Sequence, residues 1–164
     1  MIKALTLPLP LPLRVQGLEA AFRRIERERM AGLPLMHPRL RVQAVGFAAG
    51  DDGLALGVLV TPWFMNLVRL PLSAQAADLL PRPGGEAGEE CTVFGWRFLF
   101  HTQHEDGVGR FAAASLVSPM SEFADQAAAV ATAQALLEHL RPPPPRRRFF
   151  TGRGAALPAP TGPA

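Results

Sequence analysis

Proline decides where this chain can hold regular structure. Its ring lacks the backbone N–H and fixes φ, so it fits poorly inside helices and central strands. Seventeen prolines stand among 164 residues, clustered at the two ends. Leucine and proline alternate over residues 7–13, and Pro142 to Pro145 form an unbroken run. Residues 1–16 are therefore expected to be extended, 17–140 to form one folded domain, and 141–164 to be a flexible Pro/Arg-rich tail.

Between the two proline-rich ends the periodicity changes twice. Leu18, Ala21, Phe22 and Ile25 fall on one helical stripe, so a helix is expected over about 17–31, ended by Gly32 and Pro34. Residues 40–48 and 54–61 read as strands around the turn Gly50-Asp51-Asp52-Gly53. In the first strand, Val45 and Phe47 should share one face, opposite Val42 and Ala44. Strand structure resumes over 67–72, a short helix is expected near 73–80, and 81–89 is a glycine- and proline-rich loop. Strands follow at 91–102 and 109–117, the second with Phe111, Ala113, Ser115 and Val117 on one face. A last helix is expected over 120–140, capped by Ser118 or Ser121, with Met120, Phe123, Ala127, Val130, Leu137 and Leu140 near one face. Helix, strands, helix is the order of an α+β single domain, an antiparallel sheet flanked by an N-terminal and a C-terminal helix.

Composition narrows the function classes. With 48% apolar and 19% charged residues, the chain is globular. Its net charge of +3 is a property of the tail: residues 141–164 hold five arginines and no acid, leaving 12 basic against 14 acidic residues over 1–140. Nucleic-acid binding would rest on Arg146-Arg-Arg-Phe-Phe150 alone, whereas a binding face should extend across the fold. The simpler reading is a solubilising tail, and no nucleic-acid partner is expected. No segment has the length of a membrane span. Alternating proline forbids the helical core of a signal peptide, so the chain is expected to stay in the cytoplasm.

Catalytic groups are sparse. Cys91 is the only cysteine, so a disulfide framework and a cysteine-based zinc site are both excluded. A lone strand cysteine reads first as a small buried hydrophobe. Of the four histidines, His37, His101, His104 and His139, two flank an acidic turn at Glu105 and Asp106. Their strand-to-turn spacing does not require convergence, and a solvated turn is the plainer account. Neither a metal, a cofactor nor an enzymatic activity is expected.

Two apolar corners stand out instead. Trp63, Phe64 and Met65 follow a strand-ending proline and cannot all face one side of a sheet. The segment from Ser115 to Phe123 likewise leads a strand into a turn carrying Met120 and Phe123. Either corner can be ordinary core. Both can also line an apolar groove for a polypeptide partner.

The same corners carry a family resemblance. Thr61-Pro-Trp-Phe-Met-Asn-Leu-Val-Arg-Leu-Pro71 resembles the TPWFMNL…LP signature of the HybE/HupJ/HoxT type of nickel–iron hydrogenase assembly chaperone. Ser115-Leu-Val-Ser-Pro-Met-Ser-Glu-Phe-Ala-Asp125 resembles that family's SLFSPM.EF.D signature. Weaker likenesses run from Arg29 to Pro38 and from Gly88 to Phe100, so the resemblance covers about 18–140. Departures are His37 in place of a frequent asparagine, Val117 in place of phenylalanine, and Ala114 in place of a cysteine. The resemblance implies a non-enzymatic maturation factor. It would bind the hydrogenase small-subunit precursor, through its twin-arginine signal peptide or its body, with the large subunit a further partner. Trp63, Phe64, Met65, Asn66, Ser118, Pro119, Met120 and Phe123 are the partner-binding residues it implies. The rival reading is a metal- or redox-handling maturation factor using Cys91, His101 and His104.

Overall fold

A computed structural model describes residues 9–85 and 87–142. Helix α1 (Leu11–Ile25) runs into a π-helical turn at Glu26–Met30. Six strands follow, β1 (Gln43–Ala49), β2 (Leu54–Val60), β3 (Met65–Pro71), β4 (Glu89–Val93), β5 (Trp96–Glu105) and β6 (Gly109–Val117). The short helix α2 (Ala74–Ala77) lies between β3 and β4, and α3 (Gln126–Leu140) ends the described fold. The strands form one antiparallel sheet in the order β1-β2-β3-β6-β5-β4. This is the α+β architecture expected, and its two faces carry separate cores.

On one face, Leu18, Ala21, Phe22 and Ile25 of α1 pack with Leu59, Val68, Leu70, Phe111 and Ala113. On the other, Ala129, Ala133, Leu137 and Leu140 of α3 pack with Val45, Val58, Met65, Leu67 and Ala114. The central strands β2 and β3 are therefore buried on both sides, which is why Leu54–Val60 and Met65–Pro71 are nearly continuous apolar runs. Removing a side chain such as Leu59, Leu67 or Phe111 from water contributes roughly 1.5–3 kcal/mol.

Several local expectations are corrected. Helix α1 begins at Leu11, inside the stretch expected to be extended, because Pro10 and Pro12 fall at its N-terminus, where no intrahelical N–H is needed. Val45 and Phe47 lie on opposite faces. A bulge between Val45 and Ala48, with Gly46 at φ +64°, inserts one residue into β1 and turns Phe47 toward α1. The strand expected at 91–102 is two strands, joined at Phe94 and Gly95, whose φ values of 48° and 84° make a tight hairpin turn. Val117 leaves the face of Phe111 and Ala113 because the β3–β6 register shifts beside it. The last helix starts at Gln126, not 120. Asp125 caps it by accepting a hydrogen bond from the Ala128 N–H at 2.9 Å, and Ala127 points outward. The Pro/Arg-rich tail from 143 onward, with Arg146 to Phe150, lies outside the described residues, as do residues 1–8.

Candidate partner-binding site

The two signature blocks meet at one end of the sheet. The first forms the β2–β3 hairpin turn, the second the end of β6 and the turn into α3. Met65 at the start of β3 pairs with Val117, and Asn66 pairs with Ser115. Thr61 organises the hairpin turn. Its buried hydroxyl accepts hydrogen bonds from the Trp63 and Phe64 N–H groups at 3.3 and 3.0 Å and donates to the Phe64 carbonyl at 3.1 Å.

From this turn the expected site residues divide between the faces. Trp63 is buried and stacks on Phe22 of α1, with ring centroids 6.4 Å apart. Phe64 is half-buried and meets both Phe22 and Trp63 edge-on. Met65 points the other way, fully enclosed in the α3 core beside Met120. Trp63, Met65 and Met120 are thus core residues that build the junction. Ser118 and Pro119, joined by a cis peptide, are exposed, and Phe123 is half-buried against the α3 core.

Asn66 is only 8% exposed, and among the described residues its side chain makes no hydrogen bond. A buried amide normally finds a partner. No side-chain nitrogen or oxygen among the described residues is both fully enclosed and unpaired, so this amide keeps a narrow opening to the surface. It faces the α1 side, next to exposed Ser115.

His37 bridges the two blocks. Its backbone N–H donates to the Pro62 carbonyl at 2.9 Å, and its Nε2 donates to the Phe123 carbonyl at 2.7 Å. Nδ1 accepts from the Arg39 N–H at 3.1 Å, which assigns the Nε2–H tautomer. Around this bridge, Leu33, Leu35 and Pro119 are exposed and Phe64 and Phe123 are partly so. The surface residues Leu33, Leu35 and His37 are missed when Trp63 and its neighbours are read alone. Their only sequence signal is the weaker likeness over Arg29 to Pro38.

The groups considered for metal or redox chemistry are not brought together. His101 pairs with Ala113 and His104 with Arg110, placing them on opposite faces of β5. Cys91 lies on β4, its sulfur 3.5 Å from the Arg69 guanidinium. Burial and nearby Glu89 push its thiol pKa up, and Arg69 only partly offsets this, so the thiolate is disfavoured. Among the described residues, no three His, Cys, Asp or Glu side chains are grouped to hold a metal ion. No helix there is long and apolar enough to cross a membrane.

Comparison with known proteins gives the family and the fold. Residues 13–160 match the family described as "[NiFe]-hydrogenase assembly, chaperone, HybE". The chain is 40% identical to the hydrogenase expression/formation protein HupT of Azotobacter chroococcum, over 82% of this chain and 92% of that protein. It is 41% identical to protein HoxT of Cupriavidus necator, over 85% and 89%. The solution structure of HybE from Escherichia coli shares the fold, with a TM-score of 0.55 and 23% identity over 85% of this chain and 90% of that one. The chain belongs to the HybE family of nickel–iron hydrogenase assembly chaperones.

Proposed function

We propose that this chain holds the precursor of a nickel–iron hydrogenase small subunit in the cytoplasm until assembly is complete, and that the end of the sheet where the signature blocks meet is the contact surface. The observation that carries the reading is Asn66. A nearly buried amide without a hydrogen-bond partner among the described residues, beside a half-exposed Phe64 and exposed Ser115, is a hydrogen-bonding group left available inside an apolar setting. At the same end of the sheet, Phe64 on the α1 side and Phe123, Pro119, Leu33 and Leu35 near the second block would supply apolar contact, and Ser118 a polar group. Trp63, Met65 and Met120 act from below by fixing the turns that present them. The twin-arginine signal peptide of the precursor or its folded body takes the site, and the large subunit joins the same complex.

The test is co-purification with affinity-tagged chain, using small-subunit precursor with and without its signal peptide, and large subunit. Capture of the precursor that is weakened at least tenfold by Asn66→Leu and by Phe64→Ser, with unchanged folding, is the expected result. Capture of neither subunit by the unaltered chain would sink the proposal.

A further inference from the structure

A second feature lies at a different place in the fold. Central strands seldom carry an inward-facing charge, yet Arg69 stands in β3 among buried residues, on the face that α3 covers. Its guanidinium lies 5.6 Å from the centre of the Phe100 ring and forms part of a cavity of about 470 Å³. That volume falls within the about 300–1,000 Å³ typical of ligand clefts. The β1–β2 turn lines one side, and Thr92, Val93 and Phe94 of the β4–β5 hairpin the other. Arg141, just past α3, contributes a second guanidinium.

Arg69 is poorly matched where it sits. Among the described residues it makes one hydrogen bond, to the Cys91 sulfur at 3.5 Å. Its ion pair with Asp52 is also 3.5 Å, well outside the about 2.7–2.9 Å of a charge-assisted bond. Asp52 is held back because its other carboxylate oxygen accepts from the Leu54 N–H in the turn. Arg141 uses one nitrogen on the Gly46 and Leu56 carbonyls. Donors of a planar fork therefore remain for an incoming carboxylate. The walls around them are apolar, with Leu54, Leu56, Val93 and Phe94. Phe94 is half-exposed with a positive φ, a conformation that a large side chain seldom adopts and that holds its ring at the hairpin tip. Both edge strands of the sheet, β1 through Ala48 and Ala49 and β4 through Thr92 and Val93, contribute to the rim.

We propose that this trough binds an extended segment of a partner polypeptide, with an aspartate or glutamate side chain on Arg69 and Arg141 and flanking apolar residues against Phe94 and Val93. It is distinct from the signature-block surface and does not depend on which hydrogenase subunit that surface takes.

The experiment is selection of phage-displayed random heptapeptides, whose C-terminal carboxylates are tied up in the fusion, on the full chain. Enriched sequences should carry an acidic residue flanked by apolar ones. As amidated synthetic peptides they should bind at least tenfold more tightly than their Asp→Asn or Glu→Gln forms, and Arg69→Met should abolish that preference. Phe94→Asn should weaken binding while raising the melting temperature by a few degrees, because asparagine tolerates the turn conformation. No enrichment, enrichment without acidic residues, or equal binding to Arg69→Met overturns the proposal. So does binding of an Asn-form peptide restored by a free C-terminal carboxylate, which would make the chain end the ligand. Cross-links from the hairpin tip to a second copy, or to residues 143–164, formed without peptide and lost in Arg69→Met, would assign the trough to the chain itself and equally overturn it.

Discussion

Replacing Gln126 with leucine removes three hydrogen bonds that clamp α3 to Arg41 and to Gln43 at the start of β1. The Gln126 side-chain oxygen accepts from the Arg41 N–H at 2.9 Å, and its nitrogen donates to the Arg41 carbonyl at 3.2 Å and to Gln43 Oε1 at 3.0 Å. Gln126 is 9% exposed, so water replaces few of these bonds, and the two Arg41 backbone groups lose their partner. A net contribution near ~1 kcal/mol per bond, partly offset by the new apolar side chain, predicts a loss of roughly 2–3 kcal/mol. For a chain of this length that lowers the melting temperature by about 5–10 °C. The assay is urea unfolding followed by tryptophan fluorescence, with the slope unchanged and only the midpoint lowered. Gln126→Glu sharpens the test. Its carboxylate still accepts from the Arg41 N–H but faces the Arg41 carbonyl without a proton to donate. The folded-state pKa of the new glutamate should therefore rise above its unfolded value. Its deficit should be smallest below the unfolded value and grow as pH rises through the folded one. A Gln126→Leu protein within about 0.5 kcal/mol of the parent, a typical surface effect, would refute the clamp.

Three other substitutions or reactions test separate parts of the fold. A methyl at Gly57 would fall 2.3 Å from Phe47 Cδ2, so Gly57→Ala should lose about 1–3 kcal/mol in urea unfolding. Adding Phe47→Ala should recover much of that loss, and strict additivity would show that the ring is not the obstacle. Thr61→Val keeps the shape but leaves the Trp63 and Phe64 N–H groups without their acceptor, predicting a loss of roughly 2–3 kcal/mol, checked by thermal unfolding. Cys91 should react with iodoacetamide more slowly in the folded protein than in urea at pH 8, because burial and Glu89 raise its pKa. Arg69→Met should slow it further by removing the cation that opposes them. Equal rates in folded and unfolded chain would contradict that placement.

Much of the sheet was legible because its signals are local. The Gly50 to Gly53 turn and the alternation over 109–117 place β1, β2 and β6 without help from the rest of the chain. What was illegible depends on partners distant in sequence. Gly46 is one of fifteen glycines, and only its position opposite β2 makes it a bulge that turns Phe47 around. Phe94 does not look like a turn residue, and the strand pairing of Val93 with Trp96 is what forces it to be one. The start of α3 was misplaced because Met120 and Phe123 fit a helical stripe. Met120 is buried and Phe123 half-buried in the turn before the helix, and Asp125 is the cap that matters.

The candidate site was legible as an identity and not as a surface. Trp63, Phe64, Met65 and Asn66 are consecutive, so strand alternation must send them to different sides, and no sequence pattern says which side stays open. The outcome follows from what covers each face: α1 buries Trp63 under Phe22, and α3 buries Met65 beside Met120. A signature dominated by large apolar residues is thus mostly the joint of the fold, and the surface above it falls to its lesser members, Phe64, Asn66, Ser118, Pro119 and Phe123. Arg69 sits within the same signature, but its direction toward the β4–β5 hairpin depends on Cys91 and Phe100, more than twenty residues away. A lone charge inside an apolar central strand is its one trace in the sequence, and nothing in the strand pattern over 67–72 says what that charge faces.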